Sequence, residues 1–309
     1  MERIVYREAS SLARDLGVPL GALYAVSRHL SRHYRPVERP KAGGGVRRLW
    51  VPDSRLKEIQ RRILHRLLDY RVPSPWATAY RFGGGPVPNA ARHAGRPWLL
   101  KLDIQGFFDH ILYRDVKEAA FPADTFAEPL RVLLSMLCYY REGLPQGAPT
   151  SPAVANLVMA GFDRQVGAWC GARGIVYTRY CDDMAFSASH RMEGLLPFVE
   201  AALGERGLFL RRDKTLLAGP GQRKLVTGLV VNEGVDLPAP RRRALRQEVY
   251  YCRRFGLEGH AAARGEDPDR CLRRLLGQVG FWLQADPESR EAGELRTWLL
   301  GELRRRSGR

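Results

Sequence analysis

An α+β fold is predicted from three features of the chain. Compact apolar strand patterns cluster in its middle, amphipathic runs of helical period flank them, and everything after Pro240 reads as helix. Taken in order, Ser10 and Ser11 can cap a run with Leu12, Leu16 and Val18, and Leu20–Leu30 repeats its apolar residues at helical spacing. Lys41–Pro52 places a glycine turn between basic, β-favouring flanks, which suggests a hairpin. Arg55–Tyr70 follows as a helix with Leu56, Ile59, Ile63 and Leu67 on one face. Residues 71–96 read as loop, and Trp98–Ile104 as a strand carrying Asp103 near its end.

Arg114–Ala120 and Phe126–Leu137 read as helices, Leu144–Pro152 as a Pro/Gly turn segment and Ala153–Cys170 as one long helix. Ile175–Tyr180 and Met184–Ser187 flank Cys181-Asp182-Asp183 as two strands of a tight hairpin. Leu195–Arg206 is helical, and Leu208–Leu210, Leu216–Leu217 and Lys224–Val231 are short strands. After Pro238-Ala239-Pro240 come three basic amphipathic helices, Arg241–Phe255, Asp269–Gln284 and Glu288–Arg306. This change of character marks a domain boundary.

Composition narrows the function classes. With 309 residues, 45% of them hydrophobic, the chain can bury a sizeable core and is not of the disordered class. No apolar run approaches the roughly 18 residues of a membrane span. The charged opening stretch lacks the apolar core of a signal peptide, so a cytoplasmic protein without membrane attachment is expected. The five cysteines are scattered, with no CxxC or Cys/His cluster along the sequence, and read as reduced thiols without a disulfide framework or structural zinc. Fifty Lys and Arg against 33 Asp and Glu give a net charge of +17, and only six of the fifty are Lys. Residues 32–72 hold twelve basic residues against four acidic ones. Such a field, rich in planar guanidinium forks, suits a nucleic-acid partner.

Two acidic positions carry the chemistry. Asp103 closes the strand Leu99-Leu100-Lys101-Leu102-Asp103, and Asp182-Asp183 sit at a turn whose apolar and aromatic flanks (Tyr177, Tyr180, Phe186) anchor it to a buried sheet. Adjacent carboxylates repel unless a cation relieves them. Carboxylates at neighbouring strand ends can hold two Mg²⁺ ions about 4 Å apart, the arrangement that activates a hydroxyl and stabilises in-line phosphoryl transfer. The residues alone therefore point to metal-dependent nucleotidyl transfer on a nucleic acid.

The segments LLKLDIQGFFDHI, GLPQGAPTSPAVANL and YTRYCDDMAFS occur in the order and spacing of the palm motifs of reverse transcriptases, with Cys181 at the variable position of Tyr-x-Asp-Asp. RRLWVPDSRLKEIQRRIL resembles the fingers block of the same family, and the resemblance extends from about residue 35 to 235. Asn89-Ala90-Ala91-Arg92-His93 before the first catalytic strand and Val226-Thr227-Gly228 near the end of the palm resemble elements of bacterial retron reverse transcriptases.

That resemblance implies a right-hand polymerase: fingers over 35–96 and 121–148, an antiparallel-sheet palm over 97–120 and 149–238, a helical thumb over 239–309, and a helical segment 1–34 before them. It implies that Asp103, Asp182 and Asp183, with the Ile104 carbonyl, bind two Mg²⁺, and that Phe108 excludes a ribose 2′-OH. Gln146 and Gly147 would line the nucleotide pocket beside Pro149, Arg47 would hold the triphosphate with Lys41 and Arg48 as lesser candidates, and Lys214 would stand near the leaving pyrophosphate. Asn89, His93, Val226, Thr227 and Gly228 would serve RNA recognition. His93 could equally fix a loop through backbone bonds, and His110 would be structural or face solvent. In the thumb Arg241-Arg242-Arg243, Arg253-Arg254 and Arg273-Arg274 would meet a template–primer duplex, Tyr250, Tyr251, Phe281 and Trp282 would pack the core, and Arg304-Arg305-Arg306 could form a basic tail.

The implied activity is RNA-directed DNA synthesis on a cognate structured non-coding RNA, started from a guanosine 2′-OH and giving branched RNA–DNA (msDNA) in antiphage defence. The implied partners are that RNA, its RNA–DNA product, deoxynucleotides and a separate effector protein. The alternatives are a reverse transcriptase of a group II intron or another bacterial element, and an RNA-binding scaffold with incidental activity.

Overall fold

The computed structural model describes residues 5–40, 44–71 and 73–307. It opens with α1 (Ala9–Leu16), α2 (Leu20–Arg28) and α3 (Leu30–His33). Neither serine caps α1: Glu8 holds the capping position without a side-chain bond, and Ser10 Oγ donates to its carboxylate. Gly17, at φ 62°, closes the helix as its N–H and that of Val18 bond the carbonyls of Arg14 and Ala13, so Val18 lies outside. The hairpin is longer than its glycine turn suggested, because β1 (Tyr34–Pro40) pairs antiparallel with β2 (Val46–Pro52) along its whole length. α4 (Ser54–Ile63) is capped by Asp53 Oδ1, which accepts from the Leu56 N–H at 2.9 Å, and it continues as a π-turn over Leu64–Leu68. Leu56, Ile59, Ile63 and Leu67 are all buried, as the helical period requires.

Pro86, at the first helical position, starts α5 (Pro86–Ala91) inside the stretch read as loop. β3 (Trp98–Asp103), α6 (Tyr113–Ala120) and α7 (Glu128–Cys138) follow. The single helix expected over 153–170 is two, α8 (Ser151–Val158) and α9 (Ala160–Gly171), parted where ψ opens to −3° at Met159. β4 (Val176–Tyr180) and β5 (Asp183–Ala188) form the tight hairpin. After α10 (Leu195–Gly204), β6 (Leu216–Ala218) completes a four-stranded sheet of order β4-β5-β3-β6.

Lys224–Val231 folds back on itself instead of forming one strand. β7 (Leu225–Val226) and β8 (Leu229–Val230) pair antiparallel about Thr227 and Gly228, whose φ values of 47° and 79° are those of a type I′ turn. The chain ends in α11 (Ala239–Ala263), α12 (Pro268–Ala285) and α13 (Arg290–Ser307). α13 carries the arginine run in regular helix rather than a loose tail, with Arg306 paired to Asp269 at 2.7 Å and to Glu258.

Two units divide the chain. One comprises Met1–Gly84, Leu100–Phe186 and Met192–Leu216, the other Gly85–Leu99, Ser187–Arg191 and Leu217–Arg309, and the division falls inside β3, β5 and β6. The core of the first gathers Leu12, Leu23 and Val26 with Leu56, Ile63, Leu134 and Leu137 from α4 and α7, and Phe162 and Val166 of α9 pack beside β4. The second is built on Leu245, Val249, Leu275, Val279, Trp282 and Leu299 of its three long helices. No helix among the described residues is long and apolar enough to cross a membrane.

Candidate active site

A two-residue turn joins β4 to β5 and holds Cys181 at φ 62°, a left-handed conformation that a side chain enters only when its surroundings enforce it. The enforcement comes from below. Arg179 and Asp163 are both completely buried, with Nη2 2.7 Å from Oδ2 and Nε 2.9 Å from Oδ1. Tyr177 OH also donates to Asp163 Oδ1, at 2.8 Å. The other arm of the guanidinium, Nη1, donates to the Cys181 carbonyl at 3.0 Å and to Asn156 Oδ1 at 3.2 Å. Asn156 and Asp163 stand seven residues apart across the α8–α9 break, two helical turns, and so share one buried face. Sequence reasoning missed this bracket: Asp163 stands beside Arg164 and Gln165 and reads as part of a polar helix face, and the one signal was Arg179, the single charged residue of β4.

The turn is tied to β3 by backbone. The Ile104 N–H donates to the Asp182 carbonyl at 3.1 Å, and the Arg211 N–H donates to the Asp103 carbonyl at 2.8 Å. Asp103, Asp182 and Asp183 thereby line one cleft of about 540 Å³ in the first unit, together with Ile104, Phe108 and Gln146. Lys214 lines it too, and its Nζ donates to Asp103 Oδ2 at 2.8 Å. Burial raises the Asp183 carboxyl above the usual carboxylate range; Asp182 and Asp103 add to the rise while Lys101 and Lys214 oppose it. The donor set is all oxygen and its charge is crowded, with an ammonium already drawn to Asp103. This chemistry fits hard divalent cations.

Around the same cleft the nucleotide-pocket candidates separate. Phe107 and Phe108, with rings 5.4 Å apart, both line the cleft, Phe107 as a buried residue and Phe108 as a half-buried one. Gly147 does not line it but lies behind it: a Cβ there would stand 2.6 Å from the Trp50 carbonyl oxygen, so only glycine lets this turn close on β2. Lys41 lies outside the described residues, as does the side chain of Arg47; Arg48 reaches the cleft, and so do Tyr80, Asp109 and Arg211, which the sequence reading did not single out. His110 Nδ1 sits 3.0 Å from the Gly106 carbonyl, a local structural contact.

The second unit brings the two retron-like elements together. Thr227 Oγ1 donates to the Pro86 carbonyl at 2.7 Å, and α5 packs on both β7 and β8. Asn89, His93 and Val226 are buried in this joint, and Gly228 is exposed beside half-buried Thr227. His93 Nδ1 lies 2.7 Å from Ser187 Oγ, and burial, aided by Arg92 and Arg96, pushes its pKa down to about 3. The imidazole is therefore neutral at pH 7, and this contact is to a side-chain hydroxyl rather than to the backbone.

In the long helices, Arg241 is exposed over the Phe281 ring and Arg253 over Trp298. Arg242 is paired with Asp236 at 2.6 Å, and Arg274 is held by Glu248 at 2.5 Å and Glu266 at 2.9 Å rather than presented to a ligand. Trp282 packs the core as expected. Tyr250 and Tyr251 do not: they are 52% and 37% exposed.

The family profile described as "Reverse transcriptase (RNA-dependent DNA polymerase)" matches residues 39–228. Among curated proteins, the retron Mx65 reverse transcriptase of Myxococcus xanthus is 32% identical over 93% of this chain and 70% of its own length. The retron Ec86 reverse transcriptase of Escherichia coli is 29% identical over 67% of this chain and 65% of its own. The retron Mx162 reverse transcriptase of Myxococcus xanthus is 30% identical over 90% and 64%. The chain thus spans about two thirds of the length of these relatives. The match covers both the hairpin that carries Asp182 and Asp183 and the strand that carries Asp103, and the chain belongs to the reverse transcriptase family of RNA-directed DNA polymerases, in its retron branch.

Proposed function

We propose that this protein copies a cognate structured non-coding RNA into DNA, starting from a guanosine 2′-OH within that RNA and leaving a branched RNA–DNA product. The observation that carries the reading is the convergence of Asp103, Asp182, Asp183 and Phe108 on one cleft. In it the three carboxylates and the Ile104 carbonyl would hold two Mg²⁺, which when bound lower the pKa of the attacking hydroxyl and offset charge at the α-phosphorus. The hydroxyl oxygen bonds to that phosphorus, its proton passes to solvent and pyrophosphate leaves. Arg47 and Lys41, helped by Arg48, hold the triphosphate, and Lys214 balances charge on the leaving group. Phe108 closes the space that a ribose 2′-OH would need, and Gln146 and Gly147 shape the base side of the pocket.

In this reading β1–β2 and its helices are fingers, the four-stranded sheet is palm, and α11–α13 are a thumb whose Arg241, Arg253 and exposed tyrosines face an A-form duplex. The Thr227–Gly228 turn, braced from within by Asn89, His93 and Val226, selects the RNA. The surrounding system is antiphage defence in the cytoplasm, with the effector supplied by a separate protein.

The test is to purify the protein from cells carrying its native locus and treat the bound nucleic acid with ribonuclease and with a 2′–5′ debranching enzyme. The outcome expected is one short DNA of defined sequence joined to RNA, lost in an Asp182→Asn, Asp183→Asn double variant. RNA alone from both proteins would overturn self-primed synthesis.

A further inference from the structure

Among the described residues, one group of metal-ligating side chains lies far from the catalytic carboxylates in sequence. Cys252, His260 and Cys271, in the second unit, have ligand atoms within 4.8 Å of one another, and all three residues are buried. The sequence hides this group because its members are eight and eleven residues apart and lie on two helices. Eight residues of straight α-helix would separate Cys252 from His260 by about 12 Å along the axis. What joins them is the break in α11 at Gly256, where φ 76° and ψ 153° turn the chain back. A side chain would strain that conformation. α12 then delivers Cys271.

Two further observations point to a ligand. His260 is 8% exposed and its buried Nε2 makes no hydrogen bond of good geometry, its nearest acceptor standing at the outer limit of an ion-pair contact. The carboxylate of Glu248 lies 3.5 Å from that nitrogen, and Arg274 Nη2 reaches Cys271 Sγ at 3.5 Å while also bonding Glu248. A fourth oxygen donor and an outer hydrogen bond to sulfur are thus beside the three inner groups. Two sulfurs and an imidazole, all on buried residues, select zinc over the hard cations that suit the aspartate cleft.

We infer that Cys252, His260 and Cys271 form a structural zinc site, with Glu248 beside the fourth position, that pins the bend of α11 to α12. Coordination forms two Zn–S bonds and one Zn–N bond and releases the two thiol protons to solvent. The site fixes the segment of α11 that exposes Tyr250, Tyr251 and Arg253, so the ion stiffens that surface and takes no part in phosphoryl transfer.

The test uses the full chain, purified in a phosphine reductant and stripped with a chelator. Cobalt(II) added alone should give one equivalent of tightly bound metal with a thiolate-to-cobalt charge-transfer band, bleached by one equivalent of zinc. Oxygen-only binding at the aspartates gives no such band, so the two sites are distinguishable. Saturating zinc should raise the thermal midpoint on the order of 5 °C, and Cys271→Ser should abolish both band and shift. Because the cobalt spectrum is read on the unaltered chain, poor folding of the variant does not blunt the test. Absence of the band, its survival in Cys271→Ser, or a Cys252–Cys271 disulfide in protein isolated with its thiols blocked would each overturn the proposal.

Discussion

Asp163→Asn keeps the shape of the side chain beneath the Cys181–Asp182 turn and removes only its charge. The wild-type carboxylate accepts from Arg179 Nε at 2.9 Å, Arg179 Nη2 at 2.7 Å and Tyr177 OH at 2.8 Å, with both members of the ion pair completely buried. Asparagine retains an acceptor for the first and third of these bonds, but it turns either an amide N–H against the guanidinium or its oxygen away from Tyr177. The Arg179 charge is then buried without a counter-charge. Removing one partner of such a pair costs about 3–5 kcal/mol, a large share of the roughly 5–15 kcal/mol that holds a domain together. The loss should appear as an earlier urea transition followed by tryptophan fluorescence. Primer extension at temperatures where the variant remains folded should also slow, because Arg179 Nη1 no longer steadies the Cys181 carbonyl beside Asp182 and Asp183. A loss below about 1 kcal/mol would refute this account, since it would mean that the pair is not sealed from water.

Three further outcomes are expected. The unfolded imidazole of His93 binds its proton near pH 6.5 and the folded one only near 3, so below pH 6.5 the unfolded chain holds the extra proton and stability falls by up to about 1.4 kcal/mol per pH unit. Unfolding midpoints at pH 7 and pH 5 should therefore diverge by about 2 kcal/mol more in wild type than in His93→Gln, and equal losses would sink this assignment. Phe108→Ala should raise ribonucleotide incorporation relative to deoxynucleotide by about tenfold or more in competition assays, while an unchanged ratio would remove Phe108 from sugar selection. Gly147→Ala sets a Cβ 2.6 Å from the Trp50 carbonyl oxygen and should cost about 1–3 kcal/mol in urea unfolding; a neutral effect would show that the turn and β2 are not in contact.

Much of this architecture was legible because its signals are local. The stripe of Leu56, Ile59, Ile63 and Leu67 reports a helix face, and the apolar flanks of Cys181-Asp182-Asp183 report a hairpin. Both formed as read. What escaped depended on residues meeting across the chain. Asp163 and Arg179 look like surface charges until helix and strand are packed together, and the Cys252–His260–Cys271 group exists only because Gly256 breaks a helix whose period continues through it. Tyr250 and Tyr251, expected in the core, stay exposed, since adjacent residues of a helix point about 100° apart. Leu245, Val249 and Cys252 already occupy the inward stripe. In Lys224–Val231 the β-favouring residues concealed the turn, since a β-branched threonine is an unusual occupant of a left-handed position.

That threonine links the histories of two segments. Asparagine would rest more easily at φ 47°, yet it would give up the hydroxyl that holds the Pro86 carbonyl. Backbone comfort and tethering therefore pull in opposite directions at a single residue. A β7–β8 hairpin transplanted from another enzyme would arrive without the partner surface that makes its strained turn worthwhile. The natural unit of exchange is the pair, residues 86–93 with residues 224–231, and chimaeras cut between them should fold less well than chimaeras that move both.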